Sequence, residues 1–161
     1  MPHFPLFIDL AGKRCVVIGG GTIAQRRVEH LLPFGAVLTV IAPEISAALQ
    51  SLSREQSFTL VKREYAGRSD LSGSYLVLAA SNNHALNKQV VLDAQSLGLF
   101  ANAADAAELC SFFFPAIVQR GEIVAGISTS GLNPTLARRL RQQLDAFWPQ
   151  TLAAQVQSLT R

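Results

Sequence analysis

A glycine-rich turn between a short apolar strand and an amphipathic helix constrains this chain more than any other feature. Residues 14–19 form a β-rich run that leads into three consecutive glycines, at positions 19–21. After the glycines, apolar residues recur at the spacing of one helix face, namely Ala24, Val28, Leu31 and Leu32. Residues 36–42 then form a second candidate strand. Because such βαβ crossovers are right-handed and join parallel strands, the sequence predicts a layered α/β fold.

The glycine turn also indicates a ligand. Gly19, Gly21 and Ala24 match the G-x-G-x-x-A pattern of a dinucleotide-binding turn, in the required place between a strand and a helix. Gly19 permits a tight turn, Gly21 lets a pyrophosphate approach the backbone, and Ala24 lets the helix pack close to the strand. The alternative is a tight turn that binds nothing. No G-x-x-x-x-G-K-[ST] P-loop occurs, which excludes nucleotide hydrolases of that class.

The end of the second strand bears on the choice between NAD and NADP. A carboxylate that binds the ribose hydroxyls is expected about 20 residues after the glycines. Ala42 and Pro43 stand there, and Glu44 follows, where it could instead cap the next helix. The nearest arginine that could receive a 2′-phosphate is Arg54. We therefore predict NAD as the cofactor.

The middle of the chain continues the alternation of strands and helices. Further strands are predicted at residues 58–63, 75–80 and 99–103. A helix lies between the last two, capped by Asn82 or Asn83 and ended by Gly98. Its predicted buried stripe consists of Leu86, Val90, Ala94 and Leu97. The sequence thus predicts a Rossmann-type parallel sheet with helices on both faces.

The residues after 111 do not continue this alternation of strands and helices, and they predict a small α+β segment. Two strands, at residues 112–118 and 122–128, suggest a hairpin or an extended pair. A helix follows, with Asn133 as its N-cap and Pro134 at its first position. The predicted division is an NAD-binding Rossmann domain over residues 1–111, a dimerisation and substrate segment over 112–149, and a truncated helical tail over 150–161.

Composition excludes several classes of protein. The 161 residues are 49% hydrophobic and 16% charged, with a net charge of +3, which does not suggest nucleic acid as a partner. No apolar run reaches the roughly 18 residues of a membrane span, and no secretory signal is recognised, so a cytoplasmic protein is expected. The two cysteines form no metal or redox pair, and the three histidines, His3, His30 and His84, share no metal-ligand spacing. No metal site is predicted, and the histidines are given no role.

Five segments resemble the precorrin-2 dehydrogenase family, which is also found as the N-terminal module of siroheme synthase. The first is PLFIDLAGKRCVVIGGGTIAQRR at residues 5–27. The others are TVIAPE at 39–44, LVLAAS at 76–81 with Asn87 downstream, NAADAAELCSFFFPAIVQRG at 102–121 and ISTSGLNPTLARRLR at 127–141. Together they span most of the chain.

The resemblance implies an activity and a set of site residues. The family oxidises precorrin-2, a tetrapyrrole with eight carboxylates, to sirohydrochlorin with NAD as acceptor, and some members then insert iron. Asp105 matches the aspartate that serves both steps. The implied cofactor-binding residues are Gly19, Gly21, Thr22, Ile23, Pro43, Glu44, Ala80 and Ser81. The implied substrate-binding residues are Asn102, Ser128, Thr129, Ser130 and Arg138.

Further expectations follow from the same resemblance. The family's segment corresponding to residues 112–148 makes an intertwined homodimer, so a homodimer is expected. Family members commonly carry a further helical region after the segment that matches residues 127–141, where this sequence has about twenty residues. Dehydrogenation is therefore better supported than iron insertion. Two alternatives stay open: a bifunctional dehydrogenase and ferrochelatase, and a non-catalytic NAD-sensing domain.

Overall fold

A parallel sheet of five strands forms the centre of the larger part of the molecule. The computed structural model describes residues 2–149. The strands are β1 (Arg14–Ile18), β2 (Val37–Ala42), β3 (Thr59–Lys62), β4 (Leu76–Ala79) and β5 (Phe100–Ala103). Their spatial order is β3-β2-β1-β4-β5, and each neighbouring pair is parallel. The predicted Rossmann-type α/β fold is confirmed.

Three helices connect these strands. Helix α1 (Thr22–Leu31) joins β1 to β2, α2 (Ala47–Glu55) joins β2 to β3, and α3 (His84–Ser96) joins β4 to β5. The chain moves from β1 towards one sheet edge through β2 and β3, and towards the other edge through β4 and β5. Because parallel crossovers are right-handed, opposite directions of travel place α1 and α2 on one face and α3 on the other. The point between β1 and β4, where the direction reverses, is where such sheets bind ligands.

The two central strands carry the core. Cys15–Ile18 of β1 and all of β4 are buried, as expected for parallel strands covered on both faces. On the α3 side, Val16 and Val77 pack in one cluster with Val90 and Ala94 of the helix. Leu97, predicted as part of the same stripe, is instead half-exposed because it lies just beyond the last residue of α3. In its place the helix buries Val91 and the polar Asn87.

Side-chain caps fix where the helices begin. The Ser46 hydroxyl accepts a hydrogen bond from the backbone N–H of Leu49, so Ser46 and not Glu44 caps α2. Asn83, one of the two predicted candidates, caps α3 by accepting from the N–H of Leu86 at 3.1 Å. Glu44 thereby stays available for the adjoining cleft.

The chain divides into two compact units, and the second is smaller. Ile8–Phe113 form the first unit, while the second combines residues 2–7 with residues 114–149. In the second unit, β6 (Ala116–Arg120) and β7 (Ile123–Ile127) form the predicted antiparallel hairpin. Helix α4 (Pro134–Phe147) follows, capped by Asn133 as predicted. A hydrogen bond of 2.6 Å from Arg120 to the Asp145 carboxylate ties the hairpin to α4.

The predicted domain boundary and the boundary between the two units differ by two residues, 111 against 113. The sequence analysis placed a boundary after residue 111, and the contacts of the chain divide it after Phe113. Grouping of residues 2–7 with the second unit was not anticipated. The first hairpin strand begins at Ala116 and not at residue 112, since Pro115 lacks the N–H that a strand ladder requires. The predicted tail, residues 150–161, lies outside the described residues, and the roles assigned to residues 112–149 stay predictions.

A buried carboxylate holds the long connection between β3 and β4. Asp70, in a short 3₁₀ turn (Arg68–Leu71), accepts hydrogen bonds from both terminal guanidinium nitrogens of Arg63 and, at 2.8 Å, from the N–H of Ala66. The hydrogen bonds from Arg63 lower the pKa of Asp70, and the Ala66 N–H adds to the effect.

Asp70→Asn should remove part of the acid sensitivity of this protein. The folded state holds the pKa of Asp70 below its unfolded value of about 3.8. The carboxylate therefore contributes stability above that pH, and the contribution is lost as the pH falls through the folded pKa. Urea unfolding at about pH 7 and about pH 3 should show a smaller difference in Asp70→Asn than in the parent chain. Glu55→Gln, at an exposed position of α2, is the control and should leave the difference unchanged.

Candidate dinucleotide-binding cleft and the Asp105 network

Two of the three glycines, Gly19 and Gly20, allow the turn after β1 to touch two neighbouring strand exits. Gly19 has a φ of +131°, and a Cβ on it would overlap the backbone carbonyl of Ala80. A Cβ on Gly20 would overlap the backbone carbonyl of Glu44. Gly21 has nothing within 4 Å of its Cβ position. Gly19 and Gly20 are thus required by packing, while Gly21 leaves open space beside the turn.

Gly20 is a residue whose importance the sequence analysis missed. The G-x-G-x-x-A pattern treats this position as variable, yet here its backbone is packed against that of Glu44. The N–H of Ser46 also donates to the Gly20 carbonyl at 2.9 Å. The only signal in the sequence is the run of three glycines where the pattern asks for two.

The open space beside Gly21 suits a pyrophosphate. Gly21 is the N-cap of α1 and provides no side chain to bond the amides of the first turn. Those amides and the positive end of the helix dipole together favour an anion. Thr22 and Ile23, both exposed, form the first turn. The residues present therefore fit the diphosphate of a dinucleotide.

A cleft of about 960 Å³ extends from this turn across the carboxyl ends of the strands. All eight residues predicted to bind the cofactor line it, namely Gly19, Gly21, Thr22, Ile23, Pro43, Glu44, Ala80 and Ser81. The cleft lies at the reversal between β1 and β4, where doubly wound sheets bind ligands. The structure thus brings the entire predicted set into one cavity.

The cleft also contains residues that the sequence analysis did not select, among them Glu64, Tyr65 and Leu86. Glu64 and Tyr65 follow β3, a strand to which no motif pointed. The Tyr65 hydroxyl donates to the Asp93 carboxylate at 3.0 Å, and burial with this hydrogen bond raises the pKa of Tyr65 above its usual range. Among the lining residues, Glu44 and Glu64 are the only charged ones. Two carboxylates without a cation favour ribose hydroxyls over a 2′-phosphate.

Asp105 lies just beyond the cleft, after the exit of β5. Its carboxylate Oδ1 accepts a hydrogen bond from Asn87 Nδ2 at 2.9 Å, and its Oδ2 lies 3.0 Å from Nδ1 of His84. Its side chain is 37% exposed and does not line the cleft. Asn87 connects it to the cleft wall, because its amide bonds the backbone and hydroxyl of Ser81. Asp105 is thus one buried residue away from the predicted cofactor site.

Asn87 and His84 are the residues of this network that sequence reasoning did not assign. His84 was one of three histidines given no role, and Asn87 entered only as part of the resemblance. Both lie on α3, three residues apart, a spacing that places side chains on one helix face. An asparagine within an otherwise apolar helix stripe was the available signal.

Asn102, predicted to bind substrate, is buried and only 5% exposed. Its Nδ2 donates to the carbonyl of Phe112 at 2.9 Å, which fixes the chain that leaves β5. Cys110 accepts from the N–H of Ala103 in the same region, and burial raises the pKa of its thiol. Burial raises the pKa of the other thiol, Cys15, to about 11. A substrate contact for Asn102 stays a prediction.

The remaining predicted substrate residues belong to the second unit. Thr129 and Ser128 use their hydroxyls within the turn that precedes α4, and Ser130 has a φ of +54°. The Ser130 hydroxyl accepts from the N–H of His3 at 2.9 Å. Arg138 is exposed on α4. The turn bonds that the sequence analysis weighed as an alternative are therefore present for Ser128 and Thr129.

No group of three or more histidine, cysteine, aspartate or glutamate side chains among residues 2–149 could hold a metal ion. No helix among these residues is long and apolar enough to cross a membrane.

Comparisons with known proteins agree with this geometry. A family model described as "Putative NAD(P)-binding" matches residues 6–116. The chain is 43% identical over 151 residues to a siroheme synthase of Pseudomonas putida (strain W619), covering 94% of this chain and 32% of the relative. A siroheme synthase of Psychrobacter sp. (strain PRwf-1) is 39% identical over 150 residues, covering 93% and 31%. The chain thus spans about a third of the length of these curated relatives.

A solved structure is matched over a larger share of its own length than these relatives are. SirC, described as a precorrin-2 dehydrogenase, has a TM-score of 0.79 at 30% identity, over 96% of this chain and 76% of that chain. By its fold and its cleft, this chain is a member of the NAD(P)-binding family. Within it, the chain belongs with SirC and the siroheme synthases, so the resemblance stated from the sequence is confirmed.

Gly20→Ala and Gly21→Ala should separate folding from cofactor binding. A methyl group on Gly20 meets a backbone carbonyl that cannot rotate away, so we expect a loss of about 3 kcal/mol in the free energy of unfolding. A methyl group on Gly21 meets no protein atom, so this variant should keep its stability. It should weaken NAD binding by about tenfold, or about 1.4 kcal/mol, by crowding the phosphate. Urea unfolding and calorimetric titration measure the two effects. Equal stability of both variants would contradict the assignment.

Proposed function

We propose that this chain is an NAD-dependent dehydrogenase that oxidises precorrin-2 to sirohydrochlorin. The observation that carries the proposal is the junction of the dinucleotide cleft with Asp105 through the buried Asn87. The matches to SirC and to the siroheme synthases support the same substrate. The reaction removes a hydride and a proton from the tetrapyrrole, and the hydride reduces the nicotinamide.

The cleft residues have the tasks of binding and orienting the dinucleotide. The amides of the first turn of α1 would hold the pyrophosphate, beside Thr22 and Ile23. Pro43 and Glu44 would lie along the adenosine ribose, at the exit of β2. Ala80 and Ser81 would border the nicotinamide half, towards β4. NAD supplies the hydride acceptor when it is bound.

Asp105 would accept the proton. Hydrogen bonds through Asn87 connect its carboxylate to Ser81 in the wall of the cleft, and its partial exposure lets it reach a substrate as well as solvent. An ionised carboxylate is suited to take a proton while hydride leaves the same molecule. The proton then passes to water, so that Asp105 is an anion again for the next turnover.

Several further groups would contact the substrate. Precorrin-2 carries eight carboxylates, and an exposed arginine such as Arg138 can form charge-assisted pairs with them. Ser128, Thr129 and Ser130 would contribute hydroxyl or backbone groups from the turn before α4, and Asn102 a polar contact near Asp105. The two free cysteines, Cys15 and Cys110, suit the reducing cytoplasm, which is the proposed location.

The reaction is tested by anaerobic incubation of the protein with precorrin-2 and NAD. Absorbance of the reduced nicotinamide should appear with NAD, as NADH, and to a much smaller extent with NADP, as NADPH. Asp105→Asn should lower kcat by at least about a hundredfold, since it removes the proton acceptor, and should leave the dissociation constant for NAD unchanged. Glu108→Gln, at another acidic position in the same segment, is the matched control and should turn over normally.

The outcomes of this experiment separate the alternatives. NAD binding without any NADH would contradict the dehydrogenase and support the NAD-sensing domain. Full activity of Asp105→Asn would exclude Asp105 as the proton acceptor. Adding ferrous iron and sirohydrochlorin to the same samples tests the bifunctional alternative, for which formation of siroheme is the readout.

A homodimer is part of the proposal, and α4 is the observation that supports it. The helix buries none of its residues, although Leu136, Leu140 and Phe147 recur along it at helical spacing. Leu132, just before the helix, is 90% exposed, and Phe147 is 80% exposed. A second copy of this chain, which offers the same apolar surface, would remove both from water.

Leu136→Glu combined with Leu140→Glu should convert the dimer to a monomer. Two carboxylates in this apolar surface of α4 would have to be buried without partners. The free energy that this costs exceeds what the interface contributes. Light scattering measures the mass of each variant. Arg139→Glu combined with Gln143→Glu, at exposed polar positions of α4, is the control and should stay dimeric. A monomeric parent chain would contradict the proposal directly.

A further inference from the structure

Asp105 is held by two groups of different kinds. Asn87 is fully buried, and its amide has no spare bonding capacity: Oδ1 accepts from the N–H and the hydroxyl of Ser81, and Nδ2 donates to the Ser81 carbonyl and to Asp105. Turning this amide over would place donors against donors, so its orientation is fixed. Asn87 therefore fixes one carboxylate oxygen, and it can neither take nor give up a proton.

His84 contacts the other oxygen. Its Nδ1 lies 3.0 Å from Asp105 Oδ2, and it is the only titratable side chain of residues 2–149 with a hydrogen bond to Asp105. Asp105 and the Cys110 thiol interact electrostatically but share no hydrogen bond. Glu108 acts on Cys110 in the same way. Because a carboxylate oxygen accepts, the ring must present Nδ1–H to it. The contact therefore selects one tautomer of the imidazole.

We propose that His84 is a positioning residue for Asp105. By donating from Nδ1, His84 fixes Oδ2 of Asp105, while Asn87 fixes Oδ1. Both oxygens of the carboxylate are therefore held in place. One lone pair on each oxygen remains for a proton from the substrate. This inference rests on the proposed function, since it concerns the group that accepts the proton there. It adds a residue that no motif in the sequence selects.

Exposure distinguishes this role from a stabilising one. The His84 side chain is 65% exposed, and exposed ion pairs contribute little to folding. Loss of His84 should therefore leave unfolding by urea unchanged. If the Asp105 carboxylate loses its orientation, the rate of the reaction should fall instead, because small displacements of reacting atoms raise the activation barrier. The effect should fall on kcat and spare the binding of NAD, whose cleft His84 does not line.

Three variants of α3 test the role in turnover. His84→Leu removes the donor and should lower kcat by about tenfold. His84→Asn places an amide N–H near the position of Nδ1 and should recover most of that loss. Gln89→Leu, an exposed polar residue of the same helix changed to leucine, is the matched control and should keep full activity. Equal turnover of His84→Leu and the parent chain would overturn the proposal, as would failure of His84→Asn to recover activity.

The ring nitrogens supply a readout that does not depend on activity. At about pH 8.5, where an ordinary imidazole is neutral, nitrogen-15 spectra should show His84 protonated on Nδ1. In Asp105→Ala the ring should change to the Nε2–H form. An Nε2–H ring in the parent chain, or an Nδ1–H ring that persists in Asp105→Ala, would overturn the pairing. If the parent chain does not oxidise precorrin-2, the proposed function fails, and these spectra still decide the His84–Asp105 pair.

Discussion

Backbone-to-backbone contact at the glycine turn is the constraint on which the cleft depends. Gly19 lies against the carbonyl of Ala80, and Gly20 lies against that of Glu44. These two contacts connect the exit of β1 to the exits of β4 and β2, so the three strand ends form one rim. Any side chain at either position would push the strand exits apart. The cleft depends on the absence of Cβ atoms at these two positions, and Gly21 borders the open space in which we propose that the pyrophosphate binds.

A polar junction extends this rim to the next strand. Parallel strands end in loops whose backbone groups must find partners, and a buried asparagine supplies them at β4. Asn87 bonds Ser81 with three of its four hydrogen bonds and Asp105 with the fourth. One helical residue therefore closes the cleft wall and places the carboxylate after β5. The wall of the cleft and the carboxylate that we propose as the proton acceptor therefore share this single anchor.

Many of the residues that line the cleft could be selected from the sequence, and for the glycine turn the reasons are local. Glycine spacing, a strand before it and a helix after it involve residues within about ten positions of one another. Pro43, Glu44, Ala80 and Ser81 were implied by the family resemblance, and they lie together because parallel strands end at the same edge of the sheet. Glu64 and Tyr65 were missed because β3 is short and its exit carries no motif. His84 was missed because its partner is twenty-one positions away, beyond any periodicity.

The sequence by itself determined the α/β alternation, the parallel sheet, the glycine turn between β1 and α1, and the family. These features depend on the spacing of apolar residues and on the positions of glycines. Both act over a few residues, so they can be recognised in the sequence directly. Tertiary structure decided which polar residues meet. Burial of Asn87, its saturated amide and the pairing of His84 with Asp105 arise only when α3 packs beside β4 and β5. Buried polar groups must be satisfied by whatever the fold brings near them, and that requirement has no local signature in the chain.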